Sequence, residues 1–465
     1  MQKKQRLAPE NKKFLQLFWP ILIEQGLTIL VGIFSTILVS NVGDYAVAGV
    51  NLVDSINNMI IIFFNALASG ATVVVAQRIG ARRNQEAGET AAQAIVLVVG
   101  IAAVVGLAAG CFAGPILHGL YGKSAANVLQ MGQIYMYFSG ASYVFLGLSS
   151  VCAGVTRAAG NSKTPMIAAL LANIINITVA VVLIYGLHMG IYAVAIAMLA
   201  ARISAAAFML FAVRRRADGS LVLPKIRLKL DMALIRPILD IGIPSGVDSL
   251  IFQGAKVLLA VFMSGMGTAA LQANAIVTSL SSFINLPGNA FSIVSVTVVG
   301  QSYGAKLYRQ AKSLMRKMCL YTSAMQAAIG LPLLLFLEPM IASYGPSAES
   351  AATAKLILTI SVLIHPFLYA TAFVLPQSLR AVGDARQPML ISIISLLTLR
   401  IFGSWLLGVR LGYGVLGIWL SMFADWVGRS AGFVYRMERN LWHQGREPVD
   451  EGELNPLTGQ RLTEN

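Results

Sequence analysis

Apolar residues run along this chain in long blocks, separated by short polar or basic stretches. A hydrocarbon core about 30 Å thick needs ~20 apolar residues of helix to cross it. Blocks of that length predict twelve spans, near residues 14–39, 47–77, 91–113, 128–156, 165–186, 190–213, 233–263, 271–301, 315–337, 351–379, 387–408 and 413–435. Several exceed the minimum, which predicts tilt or extension past the bilayer.

Composition agrees with the pattern. The chain is 57% hydrophobic and 12% charged, with a mean hydropathy of +0.72 over 465 residues. A soluble domain carries about 25% charge, so the fold class is an all-α polytopic membrane protein. A net charge of +15 would suit nucleic acid if it lay on a soluble face. Here the bases fall between apolar segments, and they follow the positive-inside rule. The N-terminus, alternate connections and the residues after the last span hold 28 of the 35 Lys and Arg, whereas the opposite side holds Lys123, Lys355 and Arg410. A missed span would reverse that bias, so both termini are expected in the cytoplasm. The start, "MQKKQRLAPENKK", leads into an apolar block too long for a cleaved signal. Cys111, Cys152 and Cys319 lie in apolar stretches and read as packing residues.

The sequence repeats itself. "QRIGARRNQEA" at 77–87 matches "QSYGAKLYRQA" at 301–311 with an offset of 224, and "RAAGNSKTPM" at 157–166 matches "RAVGDARQPM" at 380–389 with an offset of 223. Ser40 and Gly43 likewise pair with Ser264 and Gly267. An even number of spans separates the copies, so they are two six-helix bundles of the same orientation, an architecture that places substrate sites at the repeat interface. The expected organisation is an N-lobe over 1–213, a cytoplasmic linker over 214–232, a C-lobe over 233–440 and a disordered tail over 441–465.

The repeat bears on the charges inside the spans. In "FWPILIEQGLTIL" (18–30), Glu24 follows Pro20 by one turn, and the same offset gives Asp248 after Pro244 in "GIPSGVDSLIFQGAK". A helical proline frees a carbonyl, so each copy sets oxygen ligands in an otherwise apolar medium. Burial makes such an acid able to take up and release a proton near neutrality, whereas bound Na⁺ favours its ionised form. Glu24 and Asp248 are therefore the candidate coupling acids, with Asp54 in "NLVDSINN" equally open to an interfacial hydrogen-bonding role. Asp425 and Arg429 stand i,i+4 and can neutralise each other. Arg202, Lys256 and Arg400 need a partner, a wet cavity or a function. Asn173 and Asn176 share a face of the fifth span, either bonding a neighbouring helix or lining a polar cavity; Gln253 is placed with the cavity candidates. "LPGN" (286–289) and "HPF" (365–367) mark expected bends, the second a hinge. "GKS" at 122–124 lacks the upstream glycine of a phosphate loop, and His118, His188, His365 and His443 form no metal-ligand spacing. No enzyme, cofactor or metal is expected.

Over roughly residues 14–436 the sequence resembles the MATE family of multidrug and toxic compound extrusion transporters, in its bacterial branch. The motifs are "PILIEQ", "VSNVGDYAVAGVNLVDSINN", "VVVAQRIGARR", "RAAGNSKTPM", "IGIPSGVDSLIFQGAK", "VTVVGQSYGA" and "RAVGDARQPM". The resemblance implies a V-shaped pair of bundles around a central cavity, opening alternately to each side. It also implies export of organic, often cationic, compounds against uptake of Na⁺ or H⁺. Many members carry Asp in the first helix, where "GIFSTIL" here has Ser35; Asn173 corresponds to the polar partner, and the companion acid is missing. Glu24 lies eleven residues before Ser35, within ~20° on the helix, and is expected to take over part of the coupling role with Asp248 as counterpart. The expected partners are the bilayer and a small organic substrate, with no nucleic acid and a monomeric state. A lipid-linked oligosaccharide flippase or an anionic-metabolite exporter of the same superfamily is the alternative.

Overall fold

A computed structural model describes residues 3–122, 124–215, 223–224 and 230–443. Among the described residues every regular element is helical, and the chain divides into two compact units, Met1–Gly246 and Val247–Asn465.

The N-terminal unit contains α1 (Lys3–Ser40), α2 (Asp44–Gly80), α3 (Asn84–Cys111), α4 (Ala113–Tyr121), α5 (Ala126–Ala158), α6 (Lys163–Val181), α7 (Ile191–Arg214) and the first part of α8 (Met232–Ser264). A π turn, Val182–Gly186, extends α6. Helix α5 packs against α2, α3 and α7. Glycine lets it approach: a Cβ on Gly106 of α3 would stand 2.4 Å from the Gly140 carbonyl oxygen. Small residues at such crossings are how membrane helices gain contact without a hydrophobic driving force. The outward side chains are apolar, as Val104 and Leu107 on α3 show, which suits lipid as the outer solvent.

The C-terminal unit contains the rest of α8, α9 (Thr268–Gly304), α10 (Tyr308–Leu333), α11 (Leu337–Ala342), α12 (Ala348–Tyr369), α13 (Leu375–Ala381), α14 (Arg386–Ser395) and α15 (Gly414–Glu438). A π segment, Ala370–Val374, joins α12 to α13, and two more, Leu396–Phe402 and Ser404–Arg410, prolong α14. Ile276, Leu280, Ile357, Leu358, Trp419, Phe423 and Trp426 belong to its core.

The duplication is written into the turns. Gly43 and Gly267, ahead of α2 and α9, have φ of 129° and 96°; Gly190, ahead of α7, and Gly414, which opens α15, have 57° and 58°. Glycine occupies that region without the Cβ clash other residues meet. Arg82 and Lys306, after α2 and α9, share the left-handed region at 60° and 62°.

Eleven helices among the described residues are long and apolar enough to span a membrane. The twelfth expected span, α15, is a helix of 25 residues, long enough to cross at 1.5 Å per residue, but Asp425, Arg429, Arg436 and Glu438 reduce its apolar character. The helices overrun the apolar blocks because helical hydrogen bonding does not stop where hydrophobicity does: α2 runs from Asp44 to Gly80 against an expected 47–77. The division between units falls within α8 because its first part packs on α2, where a Cβ on Gly70 would lie 2.4 Å from the Ile238 carbonyl oxygen. Most of the linker, 216–222 and 225–229, and the tail from 444 onward lie outside the described residues. Leu441–His443 form a 3-10 turn whose Trp442 is buried against Tyr303.

Candidate functional site

The two acids singled out by the repeat each meet an arginine. Arg157 Nη2 donates to Glu24 Oε1, and Arg380 Nη2 donates to Asp248 Oδ2. The arginines come from the last turns of α5 and α13, and they are the first residues of the matched "RAAGNSKTPM" and "RAVGDARQPM" segments. The duplicated motif is thus a duplicated ion pair, tying the first helix of each repeat to the end of its fourth span. Exposure is 13% for Glu24 and 15% for Arg157, 15% for Asp248 and 5% for Arg380. Each acid is therefore held in an ion pair with a guanidinium. On the same part of the N-terminal unit, Asn173 Nδ2 donates to the Leu27 carbonyl oxygen at 3.4 Å, bringing α6 against α1.

A second group lies between α2, α5 and α7. Asn57 Nδ2 donates to Asp54 Oδ1 at 3.1 Å and to Ser139 Oγ at 3.2 Å, and Asn57 Oδ1 accepts from the Tyr143 hydroxyl at 2.7 Å. Arg202 Nη1 donates to Ser142 Oγ at 2.5 Å, and its charge acts on Asp54. Asn57, Ser139 and Ser142 are buried, whereas Asp54 and Arg202 are half-buried. The structure therefore brings Asp54 and Arg202 into one network, whose other members were missed. Hydropathy gives no signal for Asn57, Tyr143 or the serines, since only the crossing of three helices collects them.

The third group is basic and aromatic, in the C-terminal unit. The Phe252 ring of α8 is faced by Lys256 Nζ at 5.1 Å, Arg400 Cζ at 4.9 Å and Arg429 Cζ at 5.4 Å from its centroid. Arg429 also approaches Phe373 at 6.0 Å. The expected i,i+4 pairing is present, with Arg429 Nε 2.9 Å from Asp425 Oδ1, and Asp425 also draws in Arg400 at 3.7 Å and accepts from Ser395 Oγ at 2.7 Å. Phe373 and Arg400 both sit on π segments, where an extra residue in the turn redirects side chains.

Other candidates fall outside these groups. Ser35, Asn176 and Gln253 are half-buried, and no hydrogen bond among the described residues links them to the clusters. His365 is fixed in the bundle, with Nδ1 2.6 Å from the Ser361 carbonyl oxygen and Nε2 3.0 Å from Asn285 Oδ1. The helix runs on through Pro366, and its irregular stretch starts four residues later, at Ala370. No group of three metal-ligating side chains occurs among the described residues.

Two like bundles of membrane helices with polar groups sealed inside define a polytopic transporter fold. The MatE family model matches the chain twice, over residues 20–182 and 244–406. The two matches are offset by 224 residues (244 − 20 and 406 − 182), as the repeat requires. The chain belongs to the MATE family of multidrug efflux transporters, whose members are transporters and not enzymes. It is 29% identical to the uncharacterized transporter YisQ of Bacillus subtilis, covering 94% of this chain and 96% of YisQ. It is 24% identical to the probable multidrug resistance protein NorM of Thermotoga maritima, covering 92% of each. Among solved structures, a MATE transporter in a bent conformation superposes with a TM-score of 0.85 at 18% identity, covering 93% of this chain and 96% of that one. The Vibrio cholerae MATE transporter VcmN gives 0.85 at 20%, covering 93% and 97%. A Pyrococcus furiosus MOP-superfamily transporter, described as having a binding pocket of reverse polarity, gives 0.81 at 17%, covering 93% and 96%.

Proposed function

We propose that this protein is a secondary-active exporter that moves small organic compounds, organic cations among them, out of a bacterial cell by alternating access. Uptake of H⁺ or Na⁺ drives the cycle. It works as a monomer in the inner membrane with both termini in the cytoplasm. The observation that carries this reading is the mirrored pair of ion pairs, Glu24–Arg157 and Asp248–Arg380.

Each pair fastens the first helix of a repeat, which carries a proline one turn before the acid, to the end of its fourth span. A proton or Na⁺ arriving at the carboxylate competes with the guanidinium for the same oxygens and weakens that fastening. Cation uptake is thereby converted into freedom for the first helix, the element that must shift when a repeat changes the side it faces. Asp54 supplies the third acid of the coupling set, held by Asn57 and moderated by Arg202. Asn173 and Ser35 of the N-terminal unit complete the polar lining in this reading, with Asn176 on the same face of α6. No resident cofactor takes part.

The test is proteoliposome transport of a fluorescent organic cation, run separately under pH and Na⁺ gradients. Wild type should accumulate the dye under one gradient, and Asp54→Asn should bind it equally while losing the gradient dependence. Accumulation indifferent to both gradients, or a fully coupled Asp54→Asn variant, would contradict the proposal. A second reading, export of organic anions, is favoured by the basic cluster around Phe252.

A further inference from the structure

We propose that Lys256, Arg400 and Arg429 form an anion subsite in the C-terminal unit, built to take the carboxylate of a ring-bearing organic acid against Phe252 and Phe373. The inference deepens the exporter reading, because it names a substrate class for that transporter.

The charge balance comes first. Three bases converge on one ring, and Asp425 is the single carboxylate that ion-pairs with any of them among the described residues. Asp425 is fully buried and already shared between two guanidiniums and Ser395. Lys256 has no acid within ion-pair distance among the described residues, and it shares the Phe252 ring with the like charge of Arg400, which repels it. A charged side chain on a membrane span is costly unless it is paired or functional, so this excess of bases is held at a cost in stability. An anion between Lys256 and Arg400 removes the repulsion.

Donor inventory points the same way. Arg400 and Arg429 are 7% and 4% exposed, yet Arg400 Nε and Arg429 Nη2 are sealed from solvent with no hydrogen-bond partner among the described residues. Unmade bonds of charged donors are expensive, and planar guanidinium forks match a carboxylate. Lys256, in contrast, is exposed. The ring preference follows from Phe252 and Phe373, 6.2 Å apart at 80°, with Trp426 edge-on to Phe373 at 5.4 Å. An arene carried beside the carboxylate finds aromatic edges and faces there.

The subsite is particular to this half. By the repeat offset Gly32 corresponds to Lys256 and Thr28 to Phe252, while Asp54 in the N-terminal half corresponds to Thr278. One repeat has kept an acid-centred network and the other a base-centred one.

Binding of 1-naphthoate and of 1-naphthylmethylammonium to the purified full-length protein tests the assignment without any gradient. Lys256→Gln should weaken naphthoate by about tenfold, equivalent to ~1.4 kcal/mol, and leave the ammonium probe unchanged. Arg400→Lys, which keeps charge and loses the fork, should also weaken naphthoate. Lys355→Gln, on an exposed lysine paired with Glu338, should weaken neither. Three outcomes overturn the subsite: no saturable naphthoate binding, a loss below roughly threefold in Lys256→Gln, or equal competition by chloride. Because binding is read in detergent, these failures leave gradient-driven export standing, and absence of export leaves the subsite standing.

Discussion

Replacing Asp248 with Asn removes the carboxylate of the more buried mirrored pair and leaves Arg380 charged at 5% exposure. Breaking a buried pair from one side costs about 3–5 kcal/mol, because the surviving charge has lost both water and partner. Asp248 itself retains 15% exposure, so water relieves part of the loss and the lower end, about 3 kcal/mol, applies. With the unfolding entropy of globular domains, a unit of about 200 residues changes by roughly 0.4 kcal/mol per kelvin near its midpoint. The thermal midpoint of Asp248→Asn in detergent should therefore fall by about 7 °C. Glu24→Gln should fall by less, since it leaves Arg157 at 15% exposure. The double variant Asp248→Asn, Arg380→Gln carries no stranded charge and should recover part of the loss. Equal midpoints for wild type and Asp248→Asn, or additive losses in the double variant, would show that the two side chains are not an energetic pair.

Two further outcomes can be read from single sites. Gly288→Ala places a Cβ 2.3 Å from Tyr369 Cε1, so the ring must leave the position from which its hydroxyl donates to Asn289 at 3.1 Å; overpacking of this kind costs about 1–3 kcal/mol, and a thermal melt at the wild-type midpoint would refute the fixed ring. Asp384 lies in the turn between α13 and α14, where burial pushes its carboxyl above the ordinary value against the opposing pull of Arg436. A native value above the unfolded one gives stability that is present at low pH and lost as pH rises through the native value. Asp384→Asn should therefore flatten the melting midpoint against pH just above the ordinary aspartate range, and an unaltered slope would exclude it as the titrating group.

Span positions and the repeat were legible because both are one-dimensional signals: apolar length, and identity at a fixed offset. Glu24 and Asp248 emerged from the same arithmetic. Their arginines were in plain view at the head of the matched motifs, yet 133 and 132 residues away along the chain, and no pattern of spacing states that such residues meet. Asn57 was harder still. Its face of α2 is defined by Ser139 and Tyr143 on another helix, so its burial is a property of the crossing. The π segments carrying Phe373 and Arg400 left no mark in hydropathy, since an added residue in one turn shifts direction without changing composition. The packing of the start of α8 on α2 left no mark for a comparable reason: Gly70 admits Ile238 by having no side chain, and small size is invisible to an apolar count.

The two halves differ in a way that bears on mechanism. Duplication preserved the acid–arginine fastening at matched positions in both repeats, together with the positive-φ turns that aim the helices. It did not preserve the polar interiors, where Asp54, Asn57 and Tyr143 in one half have no equivalent to Lys256 and Arg400 in the other. A feature needed for the motion itself must be present in both repeats, because each contributes the same rearrangement. A feature needed for one ligand can reside in a single repeat, and it is free to diverge once the other half supplies a different charge. On the proposed export cycle, the mirrored pairs serve the conformational change and the unmatched clusters serve what it carries, so substitutions at Glu24 and Asp248 should affect transport of every substrate, whereas those at Lys256 should divide substrates by charge.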